Sequence, residues 1–592
     1  MFIPTTVEEI KNLGWDSLDV ILVSGDTYID TPYSGVALIA RILLTHGFRV
    51  GIIAQPATSE ISDINRLGEP RLFWGVSSGT VDSMVANYTA TLRKRRSDDF
   101  TPGGLNNRRP DRAVIVYSNL IRRAFKNTVP IVLGGIEASL RRITHYDYWS
   151  DKLRAPILFD AKADFLLYGM ADRSIIELAE TLNQNRSPLE IRGLGYISKT
   201  IPQGFKDLSS FEEVVADKAK FSQMFISFYE NNDAITAKGL AQKKGDRYYI
   251  QNPPSFPLST SELDTVYHSS WERNQHPFYA SQGDVKALET IQFSIPTHRG
   301  CYGECNFCAI AVHEGRTITS RSEASILEEA EAITHHAQFK GIIRDLGGPT
   351  ANMYQIECKK KLTSGACLNK RCVFPEVCPV LKIDHNPQIE LLKKIRKISG
   401  IRKVFVGSGL RYDMVMADKE CGIPYLTEVI NHHVSGQLKI APEHTDLNVL
   451  HLMGKPSSKS LDEFRQAFEK ITKKAGKEQY LTYYLIAAYP GCSDADMRKL
   501  KQYAIQSLKV TPEQVQVFTP TPSTYASVMY YTETDPYSGQ KIFVEKNLTR
   551  KTHQKEIITE DPTSTILFRK KSAGFKNVDG YAKFKHHDRD KK

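Results

Sequence analysis

The sequence predicts an α/β protein in which an N-terminal doubly wound domain is followed by a partial (β/α)6 barrel. Two observations support this prediction. Short apolar strands alternate with amphipathic helices over residues 15–215, which is the pattern of a parallel sheet with helices on both faces. The alternation resumes at residue 291, where six strand–helix repeats follow in about 230 residues, and this fits an incomplete barrel.

The N-terminal domain is predicted over residues 1–215. It opens with the strand DVILVS at 19–24, the helix VALIARILLTHG and the strand FRVGIIAQP. Four further apolar segments are predicted as strands: RLFWGVSSG, DRAVIVYSN, PIVLGG and ADFLLYG. The last of them leads into the helix DRSIIELAETL. Residues 216–290 are predicted to be a linker that contains a short hairpin.

The barrel is predicted over residues 291–540, with a cysteine-rich insertion at 358–378. The predicted strands are 291–296, 341–346, 403–407, 436–441, 481–488 and 514–519, and the helices between them include 322–338, 387–398 and 461–474. Residues 541–592 are predicted to be a basic, partly disordered segment. Within it, residues 545–592 hold 13 Lys and Arg against 7 Asp and Glu, which is +6 of the net charge of +11. This excess fits a solvated tail or a nucleic-acid contact.

Composition excludes several classes of protein. Of the 592 residues, 41% are hydrophobic and 24% charged, as in folded globular proteins. The sequence lacks an apolar run of about 18 residues, so we expect no membrane span. The start, MFIPTTVEEIKNLGW, lacks the basic and apolar regions of a secretory signal. We therefore expect a cytoplasmic protein whose nine cysteines bind metal rather than form disulfides.

The strongest motif is Cys301-Tyr-Gly-Glu-Cys305-Asn-Phe-Cys308, directly after the first predicted barrel strand. Thiolates are the usual ligands of iron–sulfur clusters. Three cysteines on a [4Fe–4S] cluster leave one iron open for substrate or cofactor. The alternative is a zinc knuckle, in which His313 would supply the fourth ligand.

A second group of cysteines lies in the predicted insertion. Four thiols within 21 positions could bind one zinc ion or a second iron–sulfur cluster, and the alternative is a metal-free set of loop cysteines. The four residues are Cys358, Cys367, Cys372 and Cys378. Cys421 and Cys492 are isolated, and we interpret them as packing residues.

The CX3CX2C spacing, with Phe307 before the third cysteine, resembles the radical S-adenosylmethionine (SAM) superfamily. The segments KIAPEHT, AAYPG and VFTPTPSTYAS resemble later strands of its methylthiotransferase-like members. Taken together with IAQP, GGIEASLRR, THYDYW and TPTPST, residues 15–545 resemble the YgiQ-type radical SAM proteins, a bacterial group without a settled activity. The resemblance implies a [4Fe–4S] cluster, SAM and an electron donor such as flavodoxin or ferredoxin. It does not imply a substrate.

The resemblance also implies roles for individual residues. Gly347 and Gly348 stand where the superfamily places a Gly-Gly-Glu run that binds the methionine amine, although Pro349 replaces the Glu here. The other implied cofactor contacts are Phe307 near the adenine, and Ser408 and Arg411 at the ribose and carboxylate. Glu443 and His444 lie at a barrel strand end, where catalytic groups gather. We consider them for proton transfer, with orientation of SAM or a structural hydrogen bond as the alternative.

The N-terminal domain resembles cobalamin-binding domains through VLGGIEAS and DFLLYGMADRSIIELAETL. Cobalt-ligating members carry a histidine in an Asp-x-His-x-x-Gly loop, whereas the equivalent loop here, Asp30-Thr31-Pro32-Tyr33-Ser34-Gly35, has no histidine. We therefore expect no cobalamin, and we interpret the domain as a docking or regulatory one. The polar and aromatic residues His145, Tyr146, Asp147 and Tyr148 either line the face toward the barrel or begin a surface helix.

Three functions remain open from the sequence. The first is a radical SAM enzyme that cleaves SAM to a 5′-deoxyadenosyl radical and acts on an unknown substrate. The second is an enzyme like the tRNA methylthiotransferases. These normally carry three more cysteines in their N-terminal domain, but no cysteine precedes Cys301 here. The third is a non-catalytic iron–sulfur or zinc protein that contacts nucleic acid through its basic end.

Overall fold

The computed structural model describes residues 1–560, so most of the basic segment 541–592, including the nucleic-acid contact considered for it, lies outside the described residues. Nine strands form one sheet in the N-terminal part. In spatial order they are Val50–Ala54, Val20–Ser24, Phe73–Ser77, Ile131–Leu133, Phe165–Leu167, Leu194–Ser198, Arg247–Gln251, Leu240–Lys244 and Lys206–Leu208. The first five are parallel. This confirms the doubly wound domain.

The predicted linker belongs largely to this sheet. Residues 240–251 form the expected hairpin, but its second strand pairs antiparallel with Leu194–Ser198, so the domain continues past residue 215. The boundary was placed too early because an antiparallel hairpin breaks the strand–helix alternation on which the prediction relied. The helices of this part are Val7–Asn12, Gly35–Thr45, Ser62–Asn65, Ser83–Asn87, Ala113–Ala124, Gly135–Leu140, Ile157–Ala161, Asp172–Asn183, Phe211–Ala216, Lys218–Glu230, Thr260–Tyr267, Pro277–Ala280 and Leu288–Ile291.

Two local predictions in this domain are wrong. The segment DRAVIVYSN was expected to be a strand, but it begins the helix Ala113–Ala124. Val114, Tyr117 and Ile121 are buried and recur three or four positions apart, so a helical face explains the apolar run. The segment at 145–148 is not a surface helix start. His145–Asp147 is a buried strand, and the Tyr146 ring lies 5.1 Å from the Tyr531 ring of the barrel part.

The second part is an arc of parallel strands in chain order, as predicted. Its strands are Ile295–Pro296, Ile342–Ile343, Leu346–Gly347, Lys403–Val404, Gln437–Glu443, Tyr480–Ala487 and Val515–Val517. Parallel pairings link 295–296 to 346–347, 342–343 to 403–404, 437–443 to 480–485, and 485–487 to 515–517. A separate antiparallel ladder joins His298–Arg299 to Thr319–Ser320 beside the cysteine loop.

The helices of the arc are Ile310–His313, Glu323–Thr334, Lys359–Ser364, Asn386–Ile395, Tyr412–Ala417, Gly422–Glu428, Leu447–Met453, Lys459–Lys474, Asp494–Tyr503, Tyr525–Thr532 and Leu548–Thr559. Two π-helical turns, Val429–His433 and Ala504–Leu508, the short 3-10 turn Pro102–Gly104 and the strand Lys152–Arg154, which pairs antiparallel with His145–Asp147, complete the described elements. One continuous apolar core includes side chains of both parts, for example Tyr146 and Tyr530. No helix within residues 1–560 has the length and apolar character to cross a bilayer.

Candidate functional site

The cysteine loop leaves the first barrel strand through a glycine that no other residue could replace without strain. Gly300 has φ +82°, and a Cβ there would overlap the carbonyl oxygen of Thr317. Gly303 lies between the thiols: a Cβ on it would lie 3.2 Å from Cys301 Sγ and 3.6 Å from Cys305 Sγ. These glycines let the backbone turn closely around the three sulfurs.

The three thiols of the loop are half-buried, and within residues 1–560 they do not all lie within 4.8 Å of one another. Within residues 1–560, the only three His, Cys, Asp or Glu ligand atoms that lie within 4.8 Å of one another belong to Asp384, Asp418 and Cys421. Thiolates around one zinc ion would be about 3.8 Å apart, since each Zn–S bond is near 2.3 Å. A cubane binds each thiolate to a different iron and so holds the ligands further apart. Within the described residues, the three loop thiols are therefore not arranged as ligands of one zinc ion.

A cation and a hydroxyl face the loop sulfurs. Arg411 Nη1 lies 3.7 Å from Cys305 Sγ, and Thr350 Oγ1 lies 3.4 Å from Cys301 Sγ. Burial raises the pKa of the Cys301 thiol, and Thr350 and Arg411 oppose that rise. Arg411 is itself held by a bidentate ion pair with Asp413. These groups favour the thiolate form that a metal requires.

The Gly347-Gly348 strand end lies beside the Ser408 loop, as the resemblance implied. A Cβ on Gly347 would lie 3.7 Å from Ser408 Oγ, and one on Gly348 would contact the His298 ring at 2.6 Å. Asp345 fixes the arrangement. Its Oδ1 accepts hydrogen bonds from the N–H groups of Gly407 at 2.8 Å and Ser408 at 3.2 Å, and its other oxygen accepts from the Ser408 hydroxyl.

Glu443 and His444 face different surroundings. Glu443 is buried 3.5 Å from the Lys455 ammonium, and burial raises its pKa, whereas Lys455 and Arg411 lower it. His444 Nδ1 accepts from the N–H of Asp446 at 3.0 Å, and its Nε2 lies 3.6 Å from the buried Cys492 Sγ. Burial lowers the His444 pKa to about 4. The structure therefore brings Glu443 toward Arg411 and uses both ring nitrogens of His444 in local contacts.

Phe307 lies within the motif and packs into the core shared by both parts of the chain. Its ring meets the Tyr489 ring edge to face, with centroids 6.3 Å apart. The packing fits the ordinary core role as well as a position beside an adenine.

Three functional neighbours were missed by sequence reasoning. Asp345 orders the Ser408 loop, and Asn352 Oδ1 accepts from the N–H of Arg411 at 2.8 Å. Glu304, inside the cysteine motif, is buried between Arg316 Nε at 2.8 Å and Lys361 Nζ at 3.0 Å. The only signal for Glu304 was its place between two cysteines, because its partners are 12 and 57 positions away.

A cavity of about 460 Å³ lies between the N-terminal sheet and the barrel mouth. One wall consists of strand ends and loops with bare glycines, including Gly79, Gly134 and Gly135. The opposite wall includes His298, Arg299 and Gly348. Within residues 1–560, His298 Nε2 and Arg299 Nη2 are buried without a hydrogen-bond partner. The cavity lies at the carboxyl ends of the parallel strands, where ligands bind in sheets of this kind.

Comparisons with known proteins extend over nearly the whole chain. Residues 2–294 match the protein-family model described as Radical SAM N-terminal. A UPF0313 protein of Fusobacterium nucleatum is 59% identical over 560 residues, which cover 94% of this chain and 99% of that protein. A UPF0313 protein of Thermotoga petrophila is 46% identical over 574 residues, which cover 96% of this chain and 99% of that protein.

Among solved structures, the radical SAM methyltransferase TsrM of Kitasatospora setae, with tryptophan and a SAM analogue bound, has a similar fold. The TM-score is 0.50 at 13% identity, covering 92% of this chain and 89% of that chain. At this identity the likeness concerns the fold, and it extends over the doubly wound domain and the barrel together.

The expectation that no cobalamin is bound is wrong. It relied on the absence of a histidine from the loop Asp30–Gly35. A second TsrM structure, at 14% identity and a TM-score of 0.47 over 86% of this chain and 77% of that chain, has cobalamin and a [4Fe–4S] cluster bound. OxsB, at 11% identity and a TM-score of 0.49 over 91% of this chain and 61% of that chain, is described as cobalamin-dependent with aqua-cobalamin bound.

Proposed function

This chain belongs to the UPF0313 family and carries the radical SAM N-terminal region, and from this premise we propose that it is a radical SAM enzyme. Its cysteine loop would hold a [4Fe–4S] cluster through Cys301, Cys305 and Cys308. When bound, such a cluster supplies the single electron for reductive cleavage of SAM to a 5′-deoxyadenosyl radical. The observation that supports this most directly is the loop itself, in which the Cys305 thiol faces Arg411 and the Cys301 thiol faces Thr350.

The chain's own residues would bind and orient SAM at the ends of the second and third barrel strands. The Gly347-Gly348 backbone is free of side chains, so it can approach a ligand closely. The Ser408 hydroxyl is held by Asp345, and the Arg411 guanidinium is held by Asp413. These hydrogen bonds fix the donors before a ligand arrives and lower the cost of ordering them.

We further infer that the cavity between the two domains accepts a corrinoid. The residues present fit a flat ligand, because glycines at the strand ends leave one wall bare and apolar side chains such as Val36 and Ile39 line it. His298 Nε2 and Arg299 Nη2 face it from the barrel and lack partners within residues 1–560, so they would bind polar groups at the ligand's rim. Gly348 joins this wall, so a bound corrinoid would lie beside the proposed SAM contacts.

The direct test is SAM cleavage by anaerobically reconstituted, dithionite-reduced full-length protein. We expect 5′-deoxyadenosine to form slowly without substrate, and a Cys301→Ala/Cys305→Ala/Cys308→Ala variant to lose at least 100-fold of that rate. Cys421→Ser is the matched control and should keep it. A wild-type protein that holds its cluster but makes no 5′-deoxyadenosine, with or without cell extract, would show that it is a non-catalytic iron–sulfur protein. Transfer of a methylthio group to tRNA would instead support the methylthiotransferase-like alternative.

A further inference from the structure

The insertion after the second barrel strand is folded with little secondary structure. Residues 356–384 contain one helix of six residues, Lys359–Ser364. They nevertheless bury several side chains in a small apolar cluster of nine buried residues together with Tyr302, Met353 and Met414. A segment with so small a core usually depends on a metal or on cross-links for its stability.

Three of the four cysteines of this segment lie in or against that cluster. Cys358 and Cys372 are buried in it, and Cys378 packs against it. The N–H of Cys378 donates to the carbonyl of Cys372 at 2.8 Å. Cys367 is half-exposed, and its carbonyl oxygen accepts from Arg316 Nη2 at 3.3 Å. The insertion therefore brings three of its cysteines into one small region, and Arg316 links the backbone of the fourth to the Glu304 side chain beside it.

Buried cations accompany these thiols. Lys361 is 2% exposed, and its ammonium lies 3.0 Å from Glu304 Oε1. The same ammonium lies 5.1 Å from the centre of the Tyr302 ring, whose hydroxyl accepts from the N–H of Cys358. Arg316 contacts the same Glu304 carboxylate. Two cations share one carboxylate here, so positive charge is left over to offset thiolates bound to a metal.

We propose that Cys358, Cys367, Cys372 and Cys378 bind a second [4Fe–4S] cluster. Within residues 1–560, no three of these thiols lie within 4.8 Å of one another, which is wider than the roughly 3.8 Å between thiolates on one zinc ion. The thiols of the first loop show the same separation. A cubane gives each thiolate its own iron, so the wider arrangement fits it, and iron–sulfur clusters are held by such sets of four cysteines.

The second cluster would relay electrons, a role that rests on the proposed function. Four cysteine ligands occupy all four irons, so no iron is open to substrate. The Tyr302 hydroxyl, next to Cys301, accepts from the N–H of Cys358 at 3.1 Å, so a single side chain separates the two loops. One electron would enter from an acidic one-electron carrier protein and leave to the first cluster, with no net proton change. Exposed Lys359, Lys360 and Lys370 would attract such a carrier.

The test counts iron and sulfide after anaerobic reconstitution of the full chain and records electron paramagnetic resonance spectra of the reduced protein. Wild type is expected to hold about eight irons, in two sets of four. A Cys301→Ala/Cys305→Ala/Cys308→Ala variant and a Cys358→Ser/Cys367→Ser/Cys372→Ser/Cys378→Ser variant should each lose half. The Cys421→Ser/Cys492→Ser variant is the matched control and should keep all of it.

The addition of SAM distinguishes the two sites. The spectrum of the insertion variant should change with SAM because its first cluster remains, and that of the loop variant should not. Wild-type protein that holds only about four irons would overturn the proposal. Wild-type protein that holds one zinc ion, lost in the insertion variant, would also overturn it. The iron count of the wild type stands as a test even if a variant fails to fold. A wild type with about eight irons but no SAM response would refute the proposed function and leave the second cluster standing.

Discussion

At the residue scale, two buried carboxylates near the cysteine loop have opposite environments. Burial raises the pKa of Glu304, but Lys361 and Arg316 outweigh it, so its pKa is lowered. Burial also raises the pKa of Glu443, and there Lys455 and Arg411 do not reverse the effect. Glu304 is therefore an ionised support for the loop, whereas Glu443 can hold a proton near Arg411. The pKa values of the two carboxyl groups shift in opposite directions because their neighbouring cations differ.

Lys551 gives a prediction at this scale. It donates to the Tyr148 hydroxyl at 3.0 Å, and burial lowers its pKa from 10.5 to about 7. Between those values the unfolded chain binds a proton that the folded chain lacks, so the free energy of unfolding should rise with pH. From pH 7 to 9 we expect a gain of about 1–2 kcal/mol in wild type relative to Lys551→Met. Urea unfolding at several pH values measures it.

The control is Lys546→Met, which removes a more exposed lysine that pairs with Glu533. It should keep the wild-type pH dependence. Equal slopes for wild type and Lys551→Met would show that Lys551 remains protonated in the folded protein.

At the scale of elements, glycine placement decides the geometry of the cysteine loop. Gly300 and Gly315 both have positive φ, +82° and +103°, and they flank the loop and its short helix Ile310–His313. The room for a side chain differs between the two glycines. A Cβ on Gly300 would overlap Thr317, whereas a Cβ on Gly315 would have no atom of the described chain within 4 Å. Backbone strain is common to both, and the steric conflict belongs to Gly300 alone.

We therefore expect Gly300→Ala to lower iron incorporation at the first cluster by at least threefold, because the turn that presents Cys301 must open. Gly315→Ala is the matched control and should retain nearly full incorporation at a modest loss of stability, on the order of 1 kcal/mol. Iron analysis and thermal melting of both variants check this. Equal iron content in the two variants would mean that the loop adjusts without the glycine.

At the scale of the whole molecule, the two domains share one apolar core rather than meeting at a wet interface. The tyrosines of segment 145–148 form part of this shared core. Tyr146 packs on Tyr530 and Tyr531, and Tyr148 contacts Tyr530 and Lys551 of the last barrel elements. This packing fixes the strand ends of the sheet opposite the barrel mouth and creates the cavity between them.

The cavity leads to a prediction for the whole molecule. Full-length protein should retain hydroxocobalamin through gel filtration, detected by its visible absorbance. Val36→Trp should weaken binding at least tenfold, because Val36 lines the cavity and a larger ring would fill it. Val215→Trp, on an exposed position of helix Phe211–Ala216, is the control and should bind as wild type does. Failure of wild type to retain any corrinoid would contradict the proposal without affecting the SAM assay.

The sequence by itself determined the elements whose signals are local. Apolar runs bounded by turn residues located all five parallel strands of the N-terminal sheet within two residues of their observed ends, such as Val20–Ser24. The alternation of strands and helices predicted the barrel and its order, and cysteine spacing predicted the first cluster loop. The prediction failed where a strand and a helix have the same sequence pattern. The apolar run at 113–121 fits either one, and only packing in the folded chain selects the helix.

The tertiary structure decided what depends on residues far apart in the chain. The pairing of Arg247–Gln251 with Leu194–Ser198 brought the hairpin into the sheet, a contact that no local pattern records. Asp345 reaches Ser408 across 63 positions, and Lys361 reaches Glu304 across 57. The cavity exists only where glycine-bearing strand ends face the barrel. Burial and electrostatic environment act through space, so the sequence predicted which chemistry is available, and folding determined which groups meet to perform it.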